Sequence, residues 1–259
     1  MPPIPPKSNV LIVGATRGLG EFLTKQYASR DMNVFATSRS DTTPSPAGRN
    51  VQWIPSIDLS SPSAGPSLAS ALRSTPIHVL IVTAGYFGTE SFDEPNFEDE
   101  ENMYRISAIG PVFLVHHLEK AGCLKSGAKV ILVSSESGSI ALRHEKEGGG
   151  NYGHHASKAA LNMVGKLLSL DLKEKGVAVG LVHPGFMRTE MTRSIGFDKF
   201  WDEGGAVTPD KAASSLIEFI ETFDMSKTGQ YWAPRGPGDI GTSDEVLGKD
   251  LPTPLQLPW

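Results

Sequence analysis

The chain predicts a single α/β domain, built as a doubly wound, mostly parallel sheet with helices on both faces. Three observations carry that expectation. Short apolar runs alternate with helix-period segments along most of the sequence, the pattern of βαβ units. The first of these runs ends directly in Gly14-Ala-Thr-Arg-Gly-Leu-Gly20, a glycine-rich turn leading into a helix. The 259 residues suit one large α/β domain, and no internal repeat or domain boundary interrupts them.

The elements follow in order. Residues 10–13 are a continuous apolar run, read as a buried parallel strand. A helix is expected over 18–30, a second strand over 33–37 and a third over 51–54, with a Ser/Thr/Pro loop at 41–48 between them. A helix at 62–72 leads to a fourth strand at 77–82, which ends at Ala84-Gly85. Residues 86–101 are acidic and aromatic, a loop running into a helix whose charges form a solvated face. The helix expected over 103–120 must bend or break at Gly110-Pro111. A fifth strand is read at 128–133. A long helix at 152–175 follows a flexible lead-in, Gly148 to Gly150. The sixth strand, 177–182, ends in His183-Pro184-Gly185. Residues 188–207 lack a clean period. A capped helix with Pro209 at its first position is expected over 208–223. A short last strand at 230–233 precedes a Pro/Gly-rich tail at 236–259 with apolar residues at its end.

Composition narrows the function classes. A net charge of −5 argues against a basic face for nucleic acid. No apolar run approaches a membrane span, and the proline-rich residues 1–9 lack the apolar core of a secretory signal. The single cysteine, Cys123, excludes an internal disulfide and reads as a small buried residue. A cytoplasmic protein is expected. His116, His117 and His183 have no metal-ligand spacing and read as structural, so no metal is expected.

The glycine turn points to a ligand. Its glycines permit a tight turn and a close approach of backbone N–H groups to a pyrophosphate, whose charge the helix N-terminus favours. That makes the fold Rossmann-type and Gly14, Thr16, Arg17, Gly18, Leu19 and Gly20 candidate nucleotide contacts. An NAD-selective protein carries an acid at the end of the second strand. Here the sequence is Thr37-Ser38-Arg39, with no acid until Asp41. Arg17 and Arg39 suit a ribose 2′-phosphate, which Arg can clamp with two parallel hydrogen bonds. NADP(H) is therefore the expected cofactor, with Ser38 beside Arg39 in the same turn.

Residues 152–162 read Tyr-Gly-His-His-Ala-Ser-Lys-Ala-Ala-Leu-Asn, and 183–191 read His-Pro-Gly-Phe-Met-Arg-Thr-Glu-Met. With the glycine loop, these resemble the short-chain dehydrogenase/reductase family, most like its C-factor/sniffer-like carbonyl reductase branch. The resemblance runs over roughly residues 9–233. It implies that Asp58-Leu59 contacts adenine, that Ala84, Gly85, Pro184 and Gly185 border the cofactor, and that Thr189 meets the nicotinamide carboxamide.

The family's catalytic tetrad is Asn, Ser, Tyr and Lys. By resemblance Ser135 matches the Ser and Lys158 the Lys, while Ser107 stands at the Asn position and His154 at the Tyr position. The Tyr protonates a carbonyl oxygen as hydride arrives, and needs a nearby cation because a phenol ordinarily titrates near 10. Lys158 follows His154 by four residues, so the two share a helix face. Tyr152 is offset by two, about 160° round the helix at 100° per residue, and does not substitute. His155 reads as a surface or interface residue.

His154 has three readings: an acid, a group that only shapes the pocket, or a remnant in an inactive site. A Lys158 ammonium nearby favours neutral imidazole. A site without the Tyr acid still suits an iminium ion or a conjugated acceptor, because neither product demands the proton that an alkoxide does. The expected pocket walls are Tyr86, Phe87, residues 140–143, Phe186, a substrate lid at 186–207 with Phe197, Phe200 and Trp201, and residues 255–259 of the tail. These walls suit an apolar or aromatic substrate. The leading expectation is an NADPH-dependent reductase of a small organic molecule. The alternatives are a non-redox cyclase or isomerase on the same fold, or a catalytically silent NADP(H)-binding regulator. The resemblance also implies a homodimer or homotetramer through the helices at 103–120 and 152–175.

Overall fold

The computed structural model describes residues 4–44 and 48–259; residues 1–3 of the N-terminal stretch and 45–47 of the Ser/Thr/Pro loop lie outside it. One eight-stranded sheet has the order β3-β2-β1-β4-β5-β6-β7-β8. The strands are β1 (Asn9–Val13), β2 (Asn33–Thr37), β3 (Val51–Ile54), β4 (Ile77–Val82), β5 (Leu124–Val133), β6 (Ala178–Val182), β7 (Tyr231–Ala233) and β8 (Leu255–Gln256). All neighbours pair in parallel except β7 and β8. That antiparallel strand lies in the segment read from sequence as a Pro/Gly-rich tail, with no strand expected there. Its two residues carry too little pattern to signal a strand.

Alternate residues of each strand feed two cores. Leu11, Val13, Leu80 and Val130 face the layer that contains α2 (Ala64–Leu72), α4 (Gly110–Lys120) and α5 (Tyr152–Lys173). Val10, Ile12, Val79 and Ile131 face α1 (Gly18–Ser29) and α7 (Pro209–Thr222). Both sets are fully buried, as a sheet covered on both faces requires. The reversal of strand order lies between β1 and β4, whose C-terminal ends open a crevice, the usual place for a ligand in such sheets.

The helix expected over 103–120 begins earlier, with α3 (Phe97–Tyr104), and passes through a π-helical turn at Arg105–Ile109 into α4. Pro111 has no N–H to donate, and the Gly110 N–H reaches back to the Arg105 carbonyl. Gly110 also lies so close to β3's outgoing loop that a Cβ there would sit 2.5 Å from the Leu59 carbonyl oxygen. The remaining elements are α6 (Glu190–Ser194) and α8 (Ser243–Val246). Helix α7 starts with Pro209 as expected, but the Thr208 side chain makes no capping bond to its backbone. Among the described residues no helix is long and apolar enough to cross a membrane.

Candidate active site

The glycine turn is shaped by steric necessity. Gly14 has φ +91°, and a Cβ there would sit 2.6 Å from the Ala84 nitrogen. A Cβ at Gly20 would sit 2.1 Å from the Gly14 carbonyl oxygen. Thr83 stitches the turn to β4's end, its hydroxyl donating to the Val13 and Gly14 carbonyls at 3.0 and 2.9 Å. Gly14 N–H in turn donates to the Thr37 hydroxyl at 3.1 Å. No side chain caps α1, so the amides of its first turn face the crevice as an anion site. Arg17 and Arg39 are exposed at its mouth, and neither has an ion-pair partner among the described residues.

These residues open on one cleft of about 1310 Å³. Every predicted site residue lines it except Ser38 and Ser107. Ser38 is buried, and its hydroxyl donates to the Ser40 carbonyl at 2.9 Å, so it holds the turn that presents Arg39. Ser107 is buried in the π-turn with an unpartnered hydroxyl. Of the expected walls, Tyr86, Phe87, Phe186, Phe197 and Phe200 line the cleft. Residues 140–143, Trp201 and 255–259 do not. Trp201 packs instead against the Arg188 and Arg193 guanidinium groups and donates to the Thr192 hydroxyl at 3.2 Å. The tail contributes a different stretch, Gly238 to Gly241. Glu136 holds it by accepting the Gly241 N–H at 3.1 Å, and His183 shares a 3.0 Å bond with the Asp239 carbonyl. Sequence gave no signal for that wall, because a contact across more than a hundred residues leaves no local pattern.

Lys158 lies on the floor of the cleft. Its ammonium donates to the Val133 carbonyl at 3.0 Å, and burial pushes its pKa down to about 8. Helix α5 comes this near because residue 138 is glycine: a Cβ there would sit 2.7 Å from the Lys158 carbonyl carbon. Ser135 follows β5. Its Oγ accepts the Ser137 N–H at 3.3 Å, which leaves its own hydrogen free for the cleft. The Tyr231 hydroxyl donates to the Ser135 carbonyl and so fixes that turn from behind.

His154 is 9% exposed and lines the cleft. Phe87 stacks on its ring, with centroids 3.9 Å apart and planes 16° apart, and Phe197 meets Phe87 edge-on at 5.7 Å. Burial first, then the Lys158 ammonium, holds the imidazole well below the ordinary histidine range, so it is neutral at pH 7. Its Nδ1 is buried without a partner. The loop carrying Phe87 is tied to the start of α5. Glu90 accepts the Gly153 N–H at 2.6 Å and the Asn96 N–H at 3.1 Å, while Asn151 N–H donates to the Glu90 carbonyl at 2.9 Å. Burial raises the Glu90 pKa, but these hydrogen bonds outweigh it and leave the carboxyl below its usual range.

No phenol is free in the cleft. Of the five tyrosines, only Tyr86 lines it, and its hydroxyl donates to Asp99 at 2.6 Å. Tyr152 is exposed and off the cleft, as the helix offset predicts. His155 is half-buried, with Nδ1 2.9 Å from the Asn151 carbonyl. Among the described residues no group of three or more His, Cys, Asp or Glu side chains is placed to hold a metal.

Residues 186–207 are clasped at their base. Val207 N–H donates to the Phe186 carbonyl and Arg188 N–H to the Val207 carbonyl, both at 2.9 Å. Thr189 caps α6, accepting the Thr192 N–H at 3.2 Å, and thereby holds the segment's start against Gly18.

The short chain dehydrogenase family profile matches residues 8–199. A 1-hydroxy-2-glutathionyl-2-methyl-3-butene dehydrogenase from Rhodococcus sp. (strain AD45) is 30% identical over 227 residues, 86% of this chain and 95% of its own. The NADPH-bound carbonyl reductase from chicken fatty liver superposes with a TM-score of 0.75 at 23% identity, covering 90% of this chain and 94% of that one. The carbonyl reductase Sniffer of D. melanogaster gives 0.74 at 20% identity, over 98% of this chain and all of that one, 100%. With the profile spanning most of the chain and the fold shared throughout, this protein belongs to the short-chain dehydrogenase/reductase family.

Proposed function

We propose that this protein transfers hydride from NADPH to a small, apolar, unsaturated organic molecule. The observation that carries the reading is a cleft with two unlike halves. One half keeps every feature a dinucleotide needs, and the other is walled by aromatic side chains around a neutral imidazole.

NADP(H) fits the first half. A Cβ would fill the space at Gly14 and Gly20, the α1 amides are uncapped, and the two unpaired arginines sit where a 2′-phosphate needs them. Asp58, Leu59, Ala84, Gly85, Pro184 and Gly185 all line the cleft, the first two as the residues that would meet adenine and the others as those that would border the rest of the cofactor. Lys158 is a buried cation with no carboxylate beside it, which suits a ribose diol above it. When bound, NADPH supplies the hydride.

The chain's own residues do the rest. Ser135 offers a hydroxyl to the substrate oxygen. His154 shapes the pocket and donates a hydrogen bond without acting as an acid, since a neutral imidazole gives up a proton poorly at pH 7. The 186–207 segment closes over the substrate with Phe186, Phe197 and Phe200 and excludes water. The exposed apolar residues Ile109 at the end of the π-turn, Val112 and Phe113 on α4, and Met163, Leu167 and Leu170 on α5 support a homodimer or homotetramer through those helices.

Fluorescence titration tests the cofactor half. NADPH is expected to bind at least tenfold more tightly than NADH, about 1.4 kcal/mol. Arg39→Ala is expected to erode most of that preference. Equal affinity for the two cofactors in the unmodified protein would overturn the assignment.

A further inference from the structure

We infer that the substrate is a neutral α,β-unsaturated carbonyl compound, reduced at its carbon–carbon double bond, with Ser135 and His154 together holding the enolate oxygen. The inference rests on the hydride-transfer reading above and narrows its substrate.

The tautomer of His154 is the first step. A neutral imidazole has one donor and one acceptor nitrogen. Nδ1 is sealed away without a partner, whereas Nε2 is not among the sealed atoms of a residue that lines the cleft. A buried N–H with no acceptor is the rarer and costlier arrangement, so the hydrogen resides on Nε2, toward the cleft. Phe87 fixes the ring plane by stacking on it. Ser135 brings a second free hydrogen to the same cleft, its Oγ lone pair being used by Ser137 N–H. The site thus holds two neutral donors for one developing oxyanion, and a fixed neutral imidazole is a competent electrophile of this kind.

Three acceptor classes can then be ranked. An isolated ketone yields an alkoxide, a strong base that needs a proton as it forms. The cleft has no free phenol to give one, since the Tyr86 hydroxyl is committed to Asp99 and the Tyr231 hydroxyl to Ser135. An iminium ion is a cation, and the Lys158 ammonium beside His154 repels it with no carboxylate to compensate. A conjugated carbonyl avoids both difficulties. It enters neutral, and the charge that develops is negative and delocalised, a far weaker base than an alkoxide. The aromatic faces of Phe87 and Phe197 suit its planar shape.

The step balances. Hydride from NADPH forms a C–H bond at the β-carbon. The C=C π pair shifts to make the enolate, whose oxygen accepts hydrogen bonds from Ser135 Oγ and His154 Nε2. Water then gives a proton to the α-carbon. The products are the saturated carbonyl compound and NADP⁺.

The decisive test does not depend on turnover. With NADP⁺ bound, 4-nitrophenol is a planar mimic whose anion absorbs visible light. The protein is expected to raise the anion-to-phenol ratio of the bound probe at least tenfold over solution at the same pH. His154→Phe and Ser135→Ala are each expected to lower that ratio about tenfold, the worth of one hydrogen bond to a charged oxygen. His154→Gln keeps a donor and should retain most of it, provided each variant shows a wild-type melting transition. In parallel, 4-phenyl-3-buten-2-one with NADPH is expected to give 4-phenyl-2-butanone. No rise in ionisation, no binding of the probe, or reduction to the allylic alcohol would each overturn the inference. Failure to bind NADPH would instead count against the hydride-transfer reading, so the two failures are separable.

Discussion

Lys158→Met is the perturbation for which the structure gives a magnitude. The ammonium is buried, its pKa falls from 10.5 to about 8, and burial is the cause. That difference corresponds to roughly 3 kcal/mol of strain on the charged form, at 1.36 kcal/mol per unit. Methionine matches the stem and removes the charge. It also removes the 3.0 Å bond to the Val133 carbonyl, a loss of about 1 kcal/mol. Without cofactor, the variant is therefore expected to be about 2 kcal/mol more stable than the parent at pH 7, or roughly 4–8 °C in Tm. The sign of the pH dependence follows from linkage. Between about pH 8 and 10.5 the unfolded chain still holds a proton that the folded chain has released, so parent stability rises with pH across that window. The variant's advantage is full below pH 8 and gone by 10.5. Urea denaturation at pH 7 and pH 10, read by circular dichroism, measures both. NADPH affinity is expected to fall at least tenfold in the same variant, because the charge that strains the empty protein anchors the ribose in the loaded one. A variant less stable than the parent at pH 7, or equally favoured at both pH values, would refute the burial argument.

Three further outcomes are expected. The kcat profile of the wild-type enzyme should show no histidine ionisation near 6.5, because burial and the Lys158 ammonium hold the His154 pKa well below that range; a rate that falls as pH rises through a histidine-like pKa, and is lost in His154→Phe, would make His154 the acid. Phe113→Glu combined with Leu167→Glu, two exposed apolar positions on α4 and α5, should yield a folded monomer by light scattering; an unchanged mass would remove these helices as the interface. Trp259→Ala removes the ring stacked on Tyr231 at 5.8 Å and should cost about 1 kcal/mol in urea denaturation; no loss would show that the tail does not brace the Ser135 turn.

The cofactor half was legible in the sequence because its signals are local. A strand, a glycine turn and a helix start are contiguous, and the arginines sit a fixed distance along from them. The parallel sheet covered on both faces followed from the βαβ pattern, whereas the strand order that places Gly14 beside Ala84 is seen only in the fold. The substrate half was legible only in part. Phe87, Phe186, Phe197 and Phe200 were placed correctly on the cleft, but nothing local told Trp201 from them, and it packs against two arginines. The stack of Phe87 on His154 depends on Glu90 clipping one loop to another helix, 63 residues away at Gly153. The wall at Gly238 to Gly241 depends on Glu136 and on β8 pairing back onto β7. Ser107 does not line the cleft. The bend expected at Gly110-Pro111 is present as the π-turn that runs into them, and it buries Ser107 with its hydroxyl unpartnered.

The two halves also differ in how freely a sequence can change them. The nucleotide half is made of backbone in contact with backbone. Side chains at Gly14, Gly20 or Gly138 would sit within 3 Å of fixed main-chain atoms, so each position admits little beyond glycine. The reacting half is made of side chains projecting from α5 and from a clasped loop. Gly153, just before His154, lets α5 pack against Met103 and Glu100, where a Cβ would come within 3 Å of both. Phe87 lies flat over the His154 ring. The position thus carries an imidazole held neutral at pH 7 beneath an aromatic face. A scaffold of this kind can keep its hydride donor fixed while the acceptor class shifts, from carbonyls that need a proton to conjugated systems that need only an oxyanion held.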